Sequence, residues 1–156
     1  MKTETTTTLD LDDLPGHYIR RLQQIAVAIV LQETEAHGLT PVQYAALSKV
    51  GLTPGVDQRT LARSIGLDTS TIAGVIDRLE TRGLMQRMAS PEDRRVRLLD
   101  LTEQGEKVLQ AVGPDMLKAQ QRILEPLSPV ERDEFMRMLR KVVTANNELS
   151  RAPSEA

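Results

Sequence analysis

Apolar residues recur at helical spacing along most of the chain. Pro15 can sit in a first helical turn, and Tyr18, Leu22, Ile25, Ala26, Ile29 and Val30 follow as one stripe until Gly38, which predicts a helix over roughly 15–37. Thr40-Pro41-Val42-Gln43 has the pattern of a capping box with Pro in the first helical position. A second helix should therefore carry Tyr44, Leu47 and Val50 to an end near Gly51. Thr53-Pro54-Gly55 breaks the chain, and Gln58 to Ile65 followed by Gly66 reads as a short third helix. Asp68 can cap a fourth, from about Thr69 to Arg82, with Ile72, Val75, Ile76 and Leu79 on one face and Gly83 as its stop.

Between Leu84 and Leu101 the period changes. Met85-Gln86-Arg87-Met88 and Val96-Arg97-Leu98-Leu99 are strand-like runs about the turn Ser90-Pro91-Glu92-Asp93, which predicts a two-stranded hairpin with a charged tip. Thr102 can cap a fifth helix carrying Val108, Leu109, Val112, Met116 and Leu117, with a bend or tightened turn expected at Gly113-Pro114. Ser128-Pro129-Val130-Glu131 is a second capping box and opens a last helix with Phe135, Met138, Leu139, Val142 and Val143 inward. The chain is thus mainly α with a small β-hairpin wing. Residues 39–101 form a winged helix-turn-helix lobe, flanked by long helices over 14–38 and 102–149; 1–13 and 150–156 read as polar, disordered tails. The flanking helices carry more apolar stripe than so small a centre can cover, so a homodimer is expected, with these helices as its dimerisation domain.

Composition narrows the chemistry. With no cysteine, thiolate nucleophiles, disulfides and Cys-based zinc sites are excluded. Three aromatic residues, Tyr18, Tyr44 and Phe135, are too few for base-stacking platforms. The Thr-rich, acidic start does not resemble a signal peptide and no apolar run is long enough to span a membrane, so a cytoplasmic location is expected. Two histidines without a His-Glu-x-x-His pattern, a Gly-rich phosphate loop or a nucleophile elbow argue against an enzyme, and no cofactor is expected.

Charge changes the picture more. The whole chain sums to −2, yet from Arg59 to Arg97 eight arginines and no lysine face five acidic residues, a local balance of +3. Arginine's planar fork suits phosphates, guanine edges and narrow minor grooves. In the stretch Gln58-Arg59-Thr60-Leu61-Ala62-Arg63-Ser64-Ile65-Gly66-Leu67-Asp68-Thr69-Ser70-Thr71-Ile72 each position has a mechanical reason. Leu61, Ala62 and Ile65 pack the first helix, Gly66 turns the chain, Leu67 plugs the corner and Asp68 caps the second helix. Thr69, Ser70 and Thr71 then place short hydroxyls at the end that enters a major groove, with Gly74 and Arg78 further along the outward face.

With these features together the sequence resembles the MarR family of dimeric winged helix-turn-helix transcription regulators, over about residues 15–149. The most specific stretch is Ser90 to Gly105, which is similar to the family's wing signature: Asp, any residue, Arg, then a strand ending in Leu-Thr with Gly three residues later. The resemblance implies that Asp93 braces the wing while Arg95, with Arg94 nearby, reaches a minor groove. It implies double-stranded DNA as partner, a palindromic operator, and repression relieved by a small molecule. The DNA-reaching set expected is Gln58, Arg59, Thr69, Ser70, Thr71, Gly74, Arg78, Arg87, Asp93, Arg94 and Arg95. The opening Gly16-His17-Tyr18-Ile19-Arg20-Arg21 resembles, more loosely, the first helix of regulators of aromatic and nicotinate-type acid catabolism. A small aromatic or pyridine carboxylic acid, such as a nicotinate derivative, would then meet His17, Tyr18 and one of Arg20 and Arg21. The alternative is a winged-helix module that binds a protein without ligand response. His37 reads as a favourable helix C-terminal residue, and Met85, Met88, Met116, Met136 and Met138 as core filler.

Overall fold

The computed structural model describes residues 8–150. Its elements run α1 (Pro15–Thr34), α2 (Pro41–Leu52), β1 (Val56–Asp57), α3 (Gln58–Ser64), α4 (Thr69–Thr81), β2 (Met85–Ala89), β3 (Arg97–Leu101), α5 (Glu103–Ile123) and α6 (Pro129–Ala145). Both expected capping boxes form. Thr40 Oγ1 accepts from the Gln43 amide at 3.1 Å while the Gln43 side chain accepts from the Thr40 amide at 3.2 Å, and Ser128 and Glu131 do the same for α6. α1 closes through a 3-10 turn, Glu35–His37, and Gly38 with φ +61° ends it in the left-handed region that a side chain would strain.

Three expectations are corrected. The sheet has three strands in the order β1-β3-β2, all antiparallel, because Val56 pairs with Leu99 and Asp57 with Leu98 on the free side of β3. A two-residue strand has no period to read; it exists because β3 offers an edge. Helix α5 runs unbroken through Pro114, with no tightened turn. Proline there removes one backbone bond to Gln110, and the residue before it, Gly113, has no Cβ to clash with the proline ring. Leu11–Asp13, assigned on sequence to a disordered tail, forms a 3-10 turn capped by the Asp10 carboxylate, which accepts from the Asp12 amide at 3.0 Å; residues 1–7 and 151–156 of the expected tails lie outside the described residues.

The lobe has the main core. Leu47, Leu61, Ile72, Ile76, Leu79 and Leu99 are completely enclosed, so α2, α3, α4 and β3 share one apolar centre. A smaller cluster of Val30, Met116 and Ala119 joins α1 to α5. On its rim Glu33 accepts from Lys118 Nζ at 2.9 Å and Arg122 Nη1 at 2.6 Å, and these two cations hold its carboxyl below the usual carboxylate range. Of the methionines read as core filler, Met85 and Met116 are buried, whereas Met88 and Met138 are exposed and Met136 lines a cavity described below. Met88 is on β2 beyond the reach of the core, and Met138 belongs to a helix that buries none of its residues in the chain.

Candidate nucleic-acid interface

The interface is built from two caps and a braced turn. Asp57 opens α3 by accepting from the Thr60 amide at 2.8 Å and the Thr60 hydroxyl at 2.6 Å. Burial pushes its carboxyl up, but these hydrogen bonds outweigh burial and leave it below its ordinary value. Gly66, with φ +72°, makes the turn, and Asp68 caps α4 by accepting from the Thr71 amide at 2.6 Å. With Ile72, Val75, Ile76 and Leu79 buried, α4 leaves Thr69, Ser70, Thr71 and Arg78 exposed. Gly74 lies on the same outward side, and a Cβ built there would meet nothing within 4 Å. No packing among the described residues requires a glycine at that position.

In the wing, Asp93 and Arg95 form a fork. Asp93 Oδ1 accepts from the Arg95 amide at 3.0 Å and from its Nε at 3.1 Å, and Oδ2 accepts from Nη2 at 3.1 Å. Arg95 holds the Asp93 carboxyl below the usual range. The Arg95 side chain is nonetheless 91% exposed. It is oriented by the carboxylate while its remaining donors stay in water. Arg94 is exposed beside it.

Between the wing and the starts of α3 and α4 lies a cleft of about 700 Å³ lined by Asp57, Gln58, Arg59, Thr69, Asp93, Arg95, Val96 and Arg97. It gathers five of the sequence-predicted residues. Gln58 Oε1 is buried there with no hydrogen-bond partner among the described residues. Asp57, Val96 and Arg97 complete the lining and are not among the DNA-reaching residues the sequence marks. Arg97 was visible in the charge count, but only the pairing of β3 with β1 turns that end of the strand toward α3.

Arg87, grouped on sequence with the DNA-reaching residues, is engaged elsewhere. Its side chain is mostly covered and pairs with Glu80 at 2.6 Å and with Asp77, both on α4. Burial alone would lower its pKa, but the two carboxylates outweigh that and raise it. The residue ties strand β2 to α4 from within the chain.

The α1 block is less convergent. Arg20 Nη2 lies 3.4 Å from His17 Nδ1, and the His17 and Tyr18 rings meet edge-on at 5.5 Å. Arg20 and Arg21 are both exposed. The apolar cavity on this side, about 560 Å³ between α1, α5 and α6, is lined by Ile19, Leu22, Gln23, Ala26, Gln120, Ile123, Leu124, Phe135, Met136 and Leu139. None of His17, Tyr18, Arg20 and Arg21 is in that lining. They occupy the other faces of the same helix.

A three-helix lobe with an exposed hydroxyl-bearing helix start and an arginine-tipped wing defines a winged-helix DNA-binding protein. The MarR family model matches residues 39–96, and the chain belongs to that family of DNA-binding transcription regulators. It is 34% identical over 129 residues to the transcriptional regulator HosA of Escherichia coli O111:H-, covering 83% of this chain and 94% of that protein. It is 29% identical over 140 residues to the transcriptional repressor NicR of Pseudomonas putida, covering 90% and 89%. Among solved structures, PcaV of Streptomyces coelicolor in complex with its natural ligand superposes with a TM-score of 0.81 at 37% identity, over 89% of this chain and 98% of that one. The repressor CouR bound to a 23-mer DNA duplex gives 0.81 at 29% identity, over 88% and 99%. BpsR of Bordetella bronchiseptica, whose DNA binding is regulated by 6-hydroxynicotinic acid, gives 0.83 at 29% identity, over 87% and 97%. No helix among the described residues is long and apolar enough to cross a membrane.

Proposed function

We propose that the chain is a homodimeric repressor that holds a roughly palindromic operator and is released from it by a small aromatic or pyridine carboxylic acid. The observation that carries the DNA part is the juxtaposition of the α4 start with the Asp93-oriented Arg95 across one open cleft. One supplies a major-groove probe and the other a minor-groove probe, and a two-fold pair would reach grooves about 34 Å apart. The dimer is supported by apolar residues left in water: Ile19 and Ile25 on α1, and Val130, Val142 and Val143 on α6, are each at least half exposed. A second copy is the partner that such a stripe on both terminal helices fits. For the acid, the support is the cation and ring pair His17–Arg20 together with the likeness to BpsR, whose DNA binding is regulated by 6-hydroxynicotinic acid.

The test is a gel-shift on the upstream region of its own gene, titrated with salt and then with aromatic and pyridine carboxylic acids. Specific binding that weakens steeply with salt is expected, because phosphate contacts release counterions. Release by one acid supports the ligand; binding that no acid releases removes the ligand and keeps the operator. Salt-independent affinity overturns the DNA reading and favours a protein-binding module. A second expectation concerns Gly74→Ala. Alanine is the better helix former by about 0.5–1 kcal/mol and meets open space, so thermal stability should rise slightly. Operator affinity should fall about tenfold or more, because the added methyl holds α4 off the groove floor. Unchanged affinity would remove Gly74 from the DNA-facing side.

A further inference from the structure

The end of α1 is pinned from two sides. The carbonyls of His37 and Gly38 accept from Arg82, Nη2 to His37 O at 3.1 Å and Nη1 to Gly38 O at 2.9 Å. Arg82 is the C-terminal cap residue of α4, the opposite end from the hydroxyls of the helix start. The imidazole of the same His37 faces the other way and pairs through Nε2 with Asp115 Oδ2 at 2.7 Å. Asp115 follows Pro114, at the point of α5 where one backbone bond is missing.

Each tie has a physical reason. The carbonyls of His37 and Gly38 lie at the close of the 3-10 turn that follows α1, where backbone donors run out, so a forked cation is the group that satisfies both. The Gly38 backbone, with φ +61°, turns these carbonyls toward one guanidinium. The ring N–H of His37, donating to a carboxylate, fixes the same two-residue segment against α5. A segment held on one side by α4 and on the other by α5 transmits the position of either helix to the other.

We infer that Arg82, His37 and Asp115 are positioning residues that set the angle of α4 against α5, and through it the fit of α4 to DNA. The inference rests on the operator-binding role proposed above, and its test separates the two. The chain has no cysteine, so Ser70→Cys in α4 and Gln110→Cys in α5 give two unique labelling sites. Intrachain distances are read by single-molecule energy transfer on doubly labelled chains diluted into unlabelled protein, with thermal unfolding run alongside. Arg82→Ala and Asp115→Ala should each broaden the distance distribution, and Arg82→Lys should restore part of the narrow one. In unlabelled protein both alanine variants should weaken operator binding about threefold to tenfold at an unchanged salt slope. A distribution as narrow as the parent's overturns the inference, even if the melting temperature falls. A salt slope reduced in Arg82→Ala overturns it as well, because Arg82 would then be a phosphate ligand. If the parent binds no operator while its distances still broaden on substitution, the positioning of α4 stands and the DNA role fails.

Discussion

Replacing Arg95 with alanine is expected to lower operator affinity about 30-fold to 1,000-fold while leaving the melting temperature within about 1 °C. The Arg95 side chain is 91% exposed and, among the described residues, bonds within its own turn, so its removal takes nothing from the core. An exposed ion pair contributes little to folding. In the proposed complex the same side chain would enter a narrow groove of strong negative potential, where each inserted arginine is worth on the order of 1–2 kcal/mol and the proposed dimer would insert two. The salt dependence should also weaken, by about one unit of slope for each phosphate that the shortened side chain no longer neutralises. Asp93→Asn is the companion measurement. Arg95 holds the Asp93 carboxyl below the usual range, so the brace is complete at neutral pH and is lost only as pH falls through that lowered value. Asparagine keeps the size but removes the charge, so affinity should fall less than in Arg95→Ala, at a nearly unchanged salt slope. Isothermal titration or fluorescence anisotropy at three salt concentrations reads both quantities. An Arg95→Ala protein that binds within threefold of wild type would remove the wing from the interface.

How much of this was legible in the residues depends on whether the determinant was local. Caps are local: Thr40, Asp68, Thr102 and Ser128 each bond an amide three residues on, and every helix start they mark was readable. The wing signature marked Asp93 as a brace two residues from Arg95, while their pairing in a fork is given by the structure. Strand β1 was not, because two residues carry no period and their partner is more than forty positions away. The commitment of Arg87 to Asp77 and Glu80 was hidden for the same reason, since strand and helix spacing are each visible but their mutual approach is not. The α1 block shows a different limit. Its chemistry of ring and cation was correctly placed on a helix, but which face meets a cavity depends on α5 and α6, and the lining goes to Ile19, Leu22 and Ala26 instead.

The glycine of the wing signature acquires its reason only from the packing, and it supports the largest expected loss of stability. Gly105 is buried in the first turn of α5, and a Cβ built there would overlap the carbonyl group of Leu84. That carbonyl is not free to move. It accepts from the Thr102 amide at 3.1 Å, while the Thr102 hydroxyl donates to the Gly83 carbonyl at 2.5 Å and accepts from the Gly105 amide at 3.0 Å. Thr102 and Gly105 together dock the start of α5 onto the residues that end α4, so the Leu-Thr and the glycine of the signature are one joint. Two effects compete in Gly105→Ala. Helix propensity favours alanine by up to about 1 kcal/mol, as at Gly74. Overlap with a fixed backbone carbonyl requires α5 to back away from Leu84, at about 2–4 kcal/mol for an overpacked site with two hydrogen bonds stretched. Sterics should win, with a net loss of about 1–3 kcal/mol and a melting temperature lower by roughly 3–12 °C for a chain of this size. The same substitution at two helical glycines should therefore shift stability in opposite directions. Differential scanning calorimetry of the two alanine variants checks this, and a Gly105→Ala protein as stable as Gly74→Ala would show that the joint is loose. Because the joint ends α4 and begins α5, its distortion should also weaken operator binding, unlike the Arg95 change, in step with the loss of stability.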